Sequence, residues 1–213
     1  MGRDDFWKTY FEEAFEEPDP WAFSSSDYEQ TRYLRLNWII GQYHQSPNQI
    51  LELGCAEGAH TEQLVEYFPE ANVIAVDYMD TAISRARENI DSDAVEFVNS
   101  DYTNLINDIN NKFDIVILSE AVYTLGDEMT VTNIYKFFKD IEDILKNSGI
   151  LCISNVVGYE SHDELGLLTE RPLLQSYRKM LSELMDEIHY SEYQEYKRES
   201  DTDHIYQLMA FKK

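Results

Sequence analysis

Cations are scarce in this chain: its 213 residues hold 17 Lys plus Arg against 41 Asp plus Glu, a formal net charge of −24. A field of that sign repels phosphate backbones, so nucleic acid is excluded as an expected partner. Cysteine is nearly absent, with only Cys55 and Cys152. Both lie in or beside apolar, strand-like runs and read as small buried residues or reduced thiols, not as a disulfide framework. No apolar run approaches the roughly 18 residues that span a bilayer, so no membrane association is expected. The opening Met1-Gly2-Arg3-Asp4-Asp5 has acids where a secretory signal has cations and then apolar residues, which points to the cytoplasm. No metal-ligand spacing and no internal repeat occur.

What is present is enough for a core. Hydrophobic residues make up 43%, and a chain this long supports one substantial domain with at most a small appendage. The acidity has two readings: a hydrated surface suited to a salty cytoplasm, or attraction of a cationic substrate. Charge alone does not choose between them. The aromatic residues (15 Tyr, 10 Phe, 3 Trp) suit stacking against sugar rings, although much of this set must be core.

Phe6, Trp7, Tyr10, Phe11 and Phe15 fit a short amphipathic helix ended by Pro18-Asp19-Pro20. A second helix is expected from Tyr28 to about Tyr43, capped at Ser26 or Asp27, with Tyr28, Thr31, Leu34 or Arg35, and Trp38 at helical spacing. From residue 49 strands and helices alternate. Strands are expected at 49–53, 72–76, 94–98, 113–119 and 150–155, with helices from Ala59, over 80–90, over 130–146 and over 171–187. Asn147-Ser148-Gly149 reads as the turn into the fifth strand. Two β-like runs, 190–198 and 204–212, lack a helix between them and should pair antiparallel. The expected fold is an α/β, Rossmann-like, seven-stranded mixed sheet with helices on both faces and a C-terminal antiparallel strand pair, its one reversed strand near an edge.

The stretch Ile50-Leu51-Glu52-Leu53-Gly54-Cys55-Ala56-Glu57-Gly58 carries the most information. An apolar run ends in an acid and a glycine-rich turn, and a second acid, Asp77, closes the next apolar run. In an open α/β sheet this arrangement holds a nucleoside: Gly54 and Gly58 let the backbone approach it, and Asp77 accepts two hydrogen bonds from the ribose diol. The turn is G-x-A-x-G, not the dinucleotide pattern G-x-G-x-x-G, and it brings the carboxylates of Glu52 and Glu57. Two negative charges disfavour a pyrophosphate and suit a sulfonium with an α-amino group. S-adenosylmethionine is therefore expected over NAD or FAD. Tyr78 either covers a face of adenine or packs. Asp101 either reaches the adenine amino group or caps a helix, and Tyr102 lines the same pocket.

Together these residues resemble the class I S-adenosylmethionine-dependent methyltransferases. ELGCAEG is similar to their first motif, with Ala56 in place of the usual middle glycine, VIAVD supplies the ribose acid, and FDIVILSEAVYTL resembles the fourth motif. A closer resemblance is to the nodulation protein S (NodS) branch. It rests on Asp19-Pro20-Trp21, Tyr28-Glu29-x-x-Arg32, ILELGCAEGAHTEQL at 50–64, and Ser119-Glu120-Ala121-Val122-Tyr123, and it fades past residue 156. Tyr28 and His60 replace phenylalanines of that branch. The resemblance implies a helical cap over 1–45, a methyltransferase domain over 46–213, and N-methylation of an amine on an amino sugar, oligosaccharide or small metabolite, with S-adenosylhomocysteine as product. The alternatives are a small-molecule O-methyltransferase and a catalytically silent cofactor-binding module. The sequence leaves the oligomeric state open.

An amine must be neutral to attack, so a base should face it. Glu120, directly after strand four and followed by apolar Ala121-Val122, is the first choice; the other readings are that it orients the cofactor or caps a helix. Tyr123 lines the acceptor pocket. Tyr28 and Arg32, one helical turn apart, close over the cofactor with Arg32 available to its carboxylate, or Tyr28 belongs to the core. His60 and His162 are weaker candidates, and His44, His189 and His204 have no assigned role.

Overall fold

The computed structural model describes residues 3–110, 112–161, 171–198 and 202–213. Helix α1 (Arg3–Ala14) and helix α2 (Asp27–Tyr43) precede the sheet. Then follow β1 (Gln49–Leu53), α3 (Ala59–Tyr67), β2 (Asn72–Asp77), α4 (Asp80–Asn89), β3 (Val95–Asn99), α5 (Tyr102–Leu105) and β4 (Phe113–Ser119). The chain continues with α6 (Leu125–Glu128), α7 (Val131–Ile144), β5 (Leu145–Ser161), α8 (Arg171–Leu184), β6 (Asp186–Lys197) and β7 (Thr202–Lys212).

The seven strands lie in the order β3-β2-β1-β4-β5-β7-β6. All neighbours are parallel except that β7 runs antiparallel to both β5 and β6. The expected reversed strand is therefore present, one place in from the edge. Strand period two divides the core into two layers. Ile50, Ile115, Ile117, Ile150, Cys152, Leu208 and Ala210 pack on one face, against Leu36, Ile39 and Ile40 of α2 and Leu64 of α3. Leu51, Leu53, Val116, Leu118, Leu151, Ile153, Met209 and Phe211 pack on the other, against α7 and α8. Central strand β4 is buried on both faces through Leu118, which explains its apolar run Ile115–Leu118; the charge ahead of that run, Asp114, pairs with Lys146.

Four expectations change, the first being that the helix expected over 171–187 ends at Leu184 and β6 opens at Asp186. β5 is much longer than 150–155, because its far end pairs with β7 as far as Ser161. The expected turn at Asn147-Ser148-Gly149 is a detour within β5: Phe113 pairs with Leu145 and Ile115 with Ile150, and Ser148 sits at φ 69. On α2, the face with Thr31, Leu34 and Trp38 is exposed, while Arg32, Tyr33, Leu36, Ile39 and Ile40 are buried. The short helices α5 and α6 were too brief to show periodicity. Cys55 and Cys152 are free and buried, and burial pushes the Cys152 thiol up to about 12. Among the described residues no helix is long and apolar enough to cross a membrane.

Candidate functional site

β1 leads to β2 on one side of the sheet and β4 leads to β5 on the other, so the strand order reverses between them. Open α/β sheets leave a crevice at the carboxyl ends of the strands at such a point. Here it is a cavity of about 400 Å³, bounded by the turn after β1, the end of β2, the segment after β4 and the N-terminal aromatics.

The turn after β1 is wound tightly. Gly54, Ala56 and Gly58 all have positive φ (83°, 49° and 86°). Gly54 and Cys55 both donate their N–H to Val76 O, at 2.8 and 3.0 Å. Ala56 tolerates its left-handed conformation because its N–H donates to Asp77 Oδ2 at 2.9 Å. The glycines are also needed for protein packing. A Cβ on Gly54 would lie 2.9 Å from Ala121 Cβ, and one on Gly58 would lie 2.8 Å from Ile90 Cδ1. Gly58→Ala is accordingly expected to destabilise the fold by about 1–3 kcal/mol, from positive-φ strain and overpacking. Ala56→Gly should stabilise it by about 1 kcal/mol through relief of the same kind of strain. Urea unfolding of both variants checks the opposed signs.

Asp77, at the end of β2, faces the cavity. Its two oxygens accept Ala56 N and Met79 N, each at 2.9 Å, and an ionised carboxylate has about four acceptor positions in all, so capacity remains for a diol. Burial pushes this carboxyl up, against the pull of those backbone N–H groups. Glu52 also borders the cavity, but its oxygens are already engaged by Thr61 Oγ1 at 2.6 Å and His60 Nδ1 at 2.8 Å. His60 in turn meets Asn37 Oδ1 at 3.0 Å and stacks on Tyr33. Glu57 points away from the cavity: it pairs with Arg85 Nη1 at 2.6 Å and accepts Asp19 N at 2.8 Å. It therefore sets no charge in the crevice, where Glu52 is left as the carboxylate of this segment that disfavours a pyrophosphate.

The remaining sequence candidates divide. Tyr78 borders the cavity with its ring edge-on to Phe11. Tyr102 forms wall, its hydroxyl donated to Ala121 O at 2.5 Å. Asp101 caps α5, accepting Thr103 N and Asn104 Nδ2 at 2.8 Å each, and its exposed carboxylate is not in the cavity wall. Gly58 and Tyr28 are also outside that wall. Tyr28 is core, packed against Tyr206 and His204. His162 lies outside the described residues.

Glu120 follows β4 directly and is held from both sides. At φ 55 it is a non-glycine residue in the left-handed region, where strain gathers at functional positions. Its N–H donates to Ser154 O at 2.8 Å, and its Oε1 accepts Val156 N at 2.7 Å. It caps no helix, since the α6 cap is Thr124. Burial, only partly offset by the Arg32 charge and the Val156 N–H, pushes the Glu120 carboxyl up to about 7. Tyr123 borders the same space, edge-on to Trp7 at 5.4 Å between centroids.

Arg32 reaches Ser119 Oγ at 2.6 Å, pairs with Glu29 at 2.8 Å and lies over the Tyr33 and Tyr206 rings. Glu29 also holds Lys197 at 3.0 Å. Lys197, His204 and Tyr206 come from the C-terminal hairpin and border the cavity beside Arg32, and the sequence reading missed them. Burial and the Lys197 charge hold His204 below the ordinary histidine value, hence neutral at pH 7. The only available signal was the Glu29/Arg32 spacing; nothing local links residues near 200 to residue 32.

The family model described as nodulation protein S (NodS) matches residues 4–156. Nodulation protein S of Azorhizobium caulinodans is 32% identical over 111 residues, covering 52% of this chain and 51% of the relative. A malonyl-[acyl-carrier protein] O-methyltransferase of Bacillus cytotoxicus is 33% identical over 124 residues, covering 58% of this chain and 40% of the relative. The aligned part thus spans about half the length of the curated relatives or less. In fold, the crystal structure of the N-methyltransferase NodS from Bradyrhizobium japonicum WM9 in complex with S-adenosyl-L-homocysteine matches with a TM-score of 0.71, 19% identity and 96% coverage of both chains. A 1,6-didemethyltoxoflavin-N1-methyltransferase of Burkholderia thailandensis matches with a TM-score of 0.65 and 18% identity, over 99% of this chain and 86% of that one.

Proposed function

The chain belongs to the nodulation protein S family, and from that premise we propose that it is an S-adenosylmethionine-dependent methyltransferase that N-methylates an amine on an amino sugar, oligosaccharide or small metabolite. The observation that carries this reading is the pair of carboxylates, Asp77 and Glu120, at the carboxyl ends of β2 and β4 on one cavity. The residues fit the cofactor. Asp77 has acceptor capacity for the ribose diol, Ala56 and Tyr78 line the cavity where they would border the nucleoside, and Arg32 would be a fixed cation for its carboxylate. When bound, the cofactor supplies the methyl group and the positive sulfur that makes it leave.

The protein's own part is alignment, proton removal and exclusion of water. Glu120, its Oε1 held by Val156 N and its carboxyl pushed up to about 7 by burial, would take the proton that the methylated amine sheds. Tyr123, Trp21 and Phe23 supply an apolar border that keeps the site dry. Residues 1–45 act as a helical cap on the domain formed by 46–213. Lys197, His204 and Tyr206 lie beyond the family match over 4–156 and border the cavity, and on this reading they help to choose the acceptor.

The test is incubation with methyl-labelled cofactor across amine-bearing saccharides and small amines, with hydroxylated counterparts alongside. Label in amines alone is expected. Label confined to hydroxyl acceptors would replace the reading with O-methylation, and cofactor binding without transfer to any acceptor would favour a silent module.

A further inference from the structure

The two ends of the cavity differ in charge. Asp77 and Glu52 stand at the nucleoside end, Glu52 held by His60 and Thr61. At the other end, beside Glu120, one carboxylate serves two cations: Glu29 Oε2 accepts Arg32 Nε at 2.8 Å and its Oε1 accepts Lys197 Nζ at 3.0 Å. In a chain with 17 cations against 41 acids, two of the cations thus meet at one buried carboxylate. An excess of charge out of water is costly until a partner neutralises it. Glu120 does so only in part, because burial keeps its proton on up to about 7. The two cations are not equivalent. Arg32 is locked: its Nη1 donates to Ser119 Oγ at 2.6 Å, its guanidinium lies over the Tyr33 and Tyr206 rings, and its side chain is 2% exposed. Lys197 lies over the Tyr28 ring and keeps 15% of its side chain accessible. Among the described residues it also brings the one charge that the C-terminal hairpin adds to the cavity wall, since His204 is held neutral and Tyr206 is a buried phenol.

We infer that the acceptor is a compact amine that carries an anionic group, a carboxylate or a phosphate, and that Lys197 is the residue that selects it. This rests on the N-methyltransferase reading above and names the substrate class within it. With Arg32 given to the carboxylate of the cofactor, Lys197 holds the anion of the acceptor while the amine is directed to Glu120. Both groups of the acceptor then have a partner at the same end of the cavity. Size limits how far apart they are. The cavity of about 400 Å³ lies toward the lower end of ligand pockets and has to admit cofactor and acceptor together, so the anion sits on the same ring or short skeleton as the amine. Such an acceptor arrives as an ammonium joined to an anion. The surface field of a chain with net charge −24 repels it far less than it repels a bare anion. The overall acidity suggests a cationic substrate, but the charge that an acceptor meets is set by Glu29, Arg32 and Lys197.

The experiment pairs amines that differ in the anionic group: β-alanine against β-alaninamide, and glucosamine 6-phosphate against glucosamine. Each is offered with methyl-labelled cofactor to the full chain as wild type, Lys197→Gln and Lys197→Arg. Wild type is expected to favour the anionic member of at least one pair by about 30-fold in kcat/KM, the effect of a charge-assisted hydrogen bond in a partly buried site. The pair that shows the preference tells carboxylate from phosphate. Lys197→Gln, which keeps a donor for Glu29, should bring the preference below about threefold. Lys197→Arg should keep most of it, because the positive charge and its donors remain. A wild-type preference below about tenfold in both pairs would overturn the inference without any variant. A preference that Lys197→Gln leaves undiminished would overturn the role of Lys197. Calorimetry of the same pairs on protein loaded with S-adenosylhomocysteine separates this inference from the reading beneath it. If no amine is labelled, N-methylation of these acceptors fails, while tighter binding of the anionic members by wild type, and its loss in Lys197→Gln, still decides whether Lys197 selects an anion.

Discussion

Asp77→Ala should lower the affinity for S-adenosylhomocysteine, measured by calorimetry, by about 100- to 1000-fold. That is the loss expected when two hydrogen bonds to an ionised acceptor disappear from a buried site. The same carboxylate also accepts the N–H groups of Ala56 and Met79 at 2.9 Å, so its removal leaves two donors unpaired beside the turn. A stability loss of about 1–3 kcal/mol should therefore accompany the binding loss. The two effects separate: at a temperature where the variant is fully folded, the affinity loss must persist. Asp77→Asn should be no rescue, because its amide would present a donor to one of those two N–H groups. An affinity within threefold of wild type for the folded Asp77→Ala variant would remove this residue from the nucleoside site.

The second large effect is on turnover. Glu120→Gln keeps the size of the side chain and an oxygen for Val156 N, but it removes the base. A loss of about 10²- to 10⁴-fold in turnover is expected, with cofactor binding retained. In wild type, turnover should rise with pH through about 7 as the carboxyl loses its proton, and Glu120→Gln should lack that limb. Stability provides an independent check with a defined sign. The folded carboxyl sits at about 7 against an ordinary 4.5, so the fold gains from the protonated side chain. That gain is complete below the ordinary value and is lost as pH rises through about 7. Glu120→Gln should therefore be more stable than wild type at pH 8, by about 2 kcal/mol after allowing for the partial exposure of the carboxylate to the cavity, and nearly equal at pH 4. Urea unfolding at the two pH values measures it. Undiminished turnover, or a stability gain of the same size at both pH values, would reject the assignment.

The elements were legible in the sequence where burial imposes a pattern. β4, buried on both faces, carries the apolar run 115–118, and its ends match expectation. β1 and the start of α3 are marked by the glycine turn. β5 was legible only in part, because its second half is held by β7 and carries no pattern of its own. The buried side of α2 was not evident either. Arg32, Glu29 and Asn37 are buried there because the site and its hydrogen bonds receive them, whereas Leu34 and Trp38 stay outside.

The sequence by itself determined the strand order of events: a glycine turn after one strand, an acid closing the next, an acid after the fourth, and the family to which such a run belongs. Backbone torsion and strand burial act over a few residues, so their demands are written locally. Only the tertiary structure decided which side each carboxylate serves. Glu57, within the turn after β1, faces Arg85 and the segment 16–19; Glu52 is taken by His60 and Thr61; Asp101 caps a helix; Asp77 and Glu120 keep raised carboxyls toward the cavity. Lys197, His204 and Tyr206 reach Arg32 and Glu29 across more than 160 residues of chain because β7 is inserted between β5 and β6. A contact made by strand insertion depends on the whole sheet, and no local spacing records it.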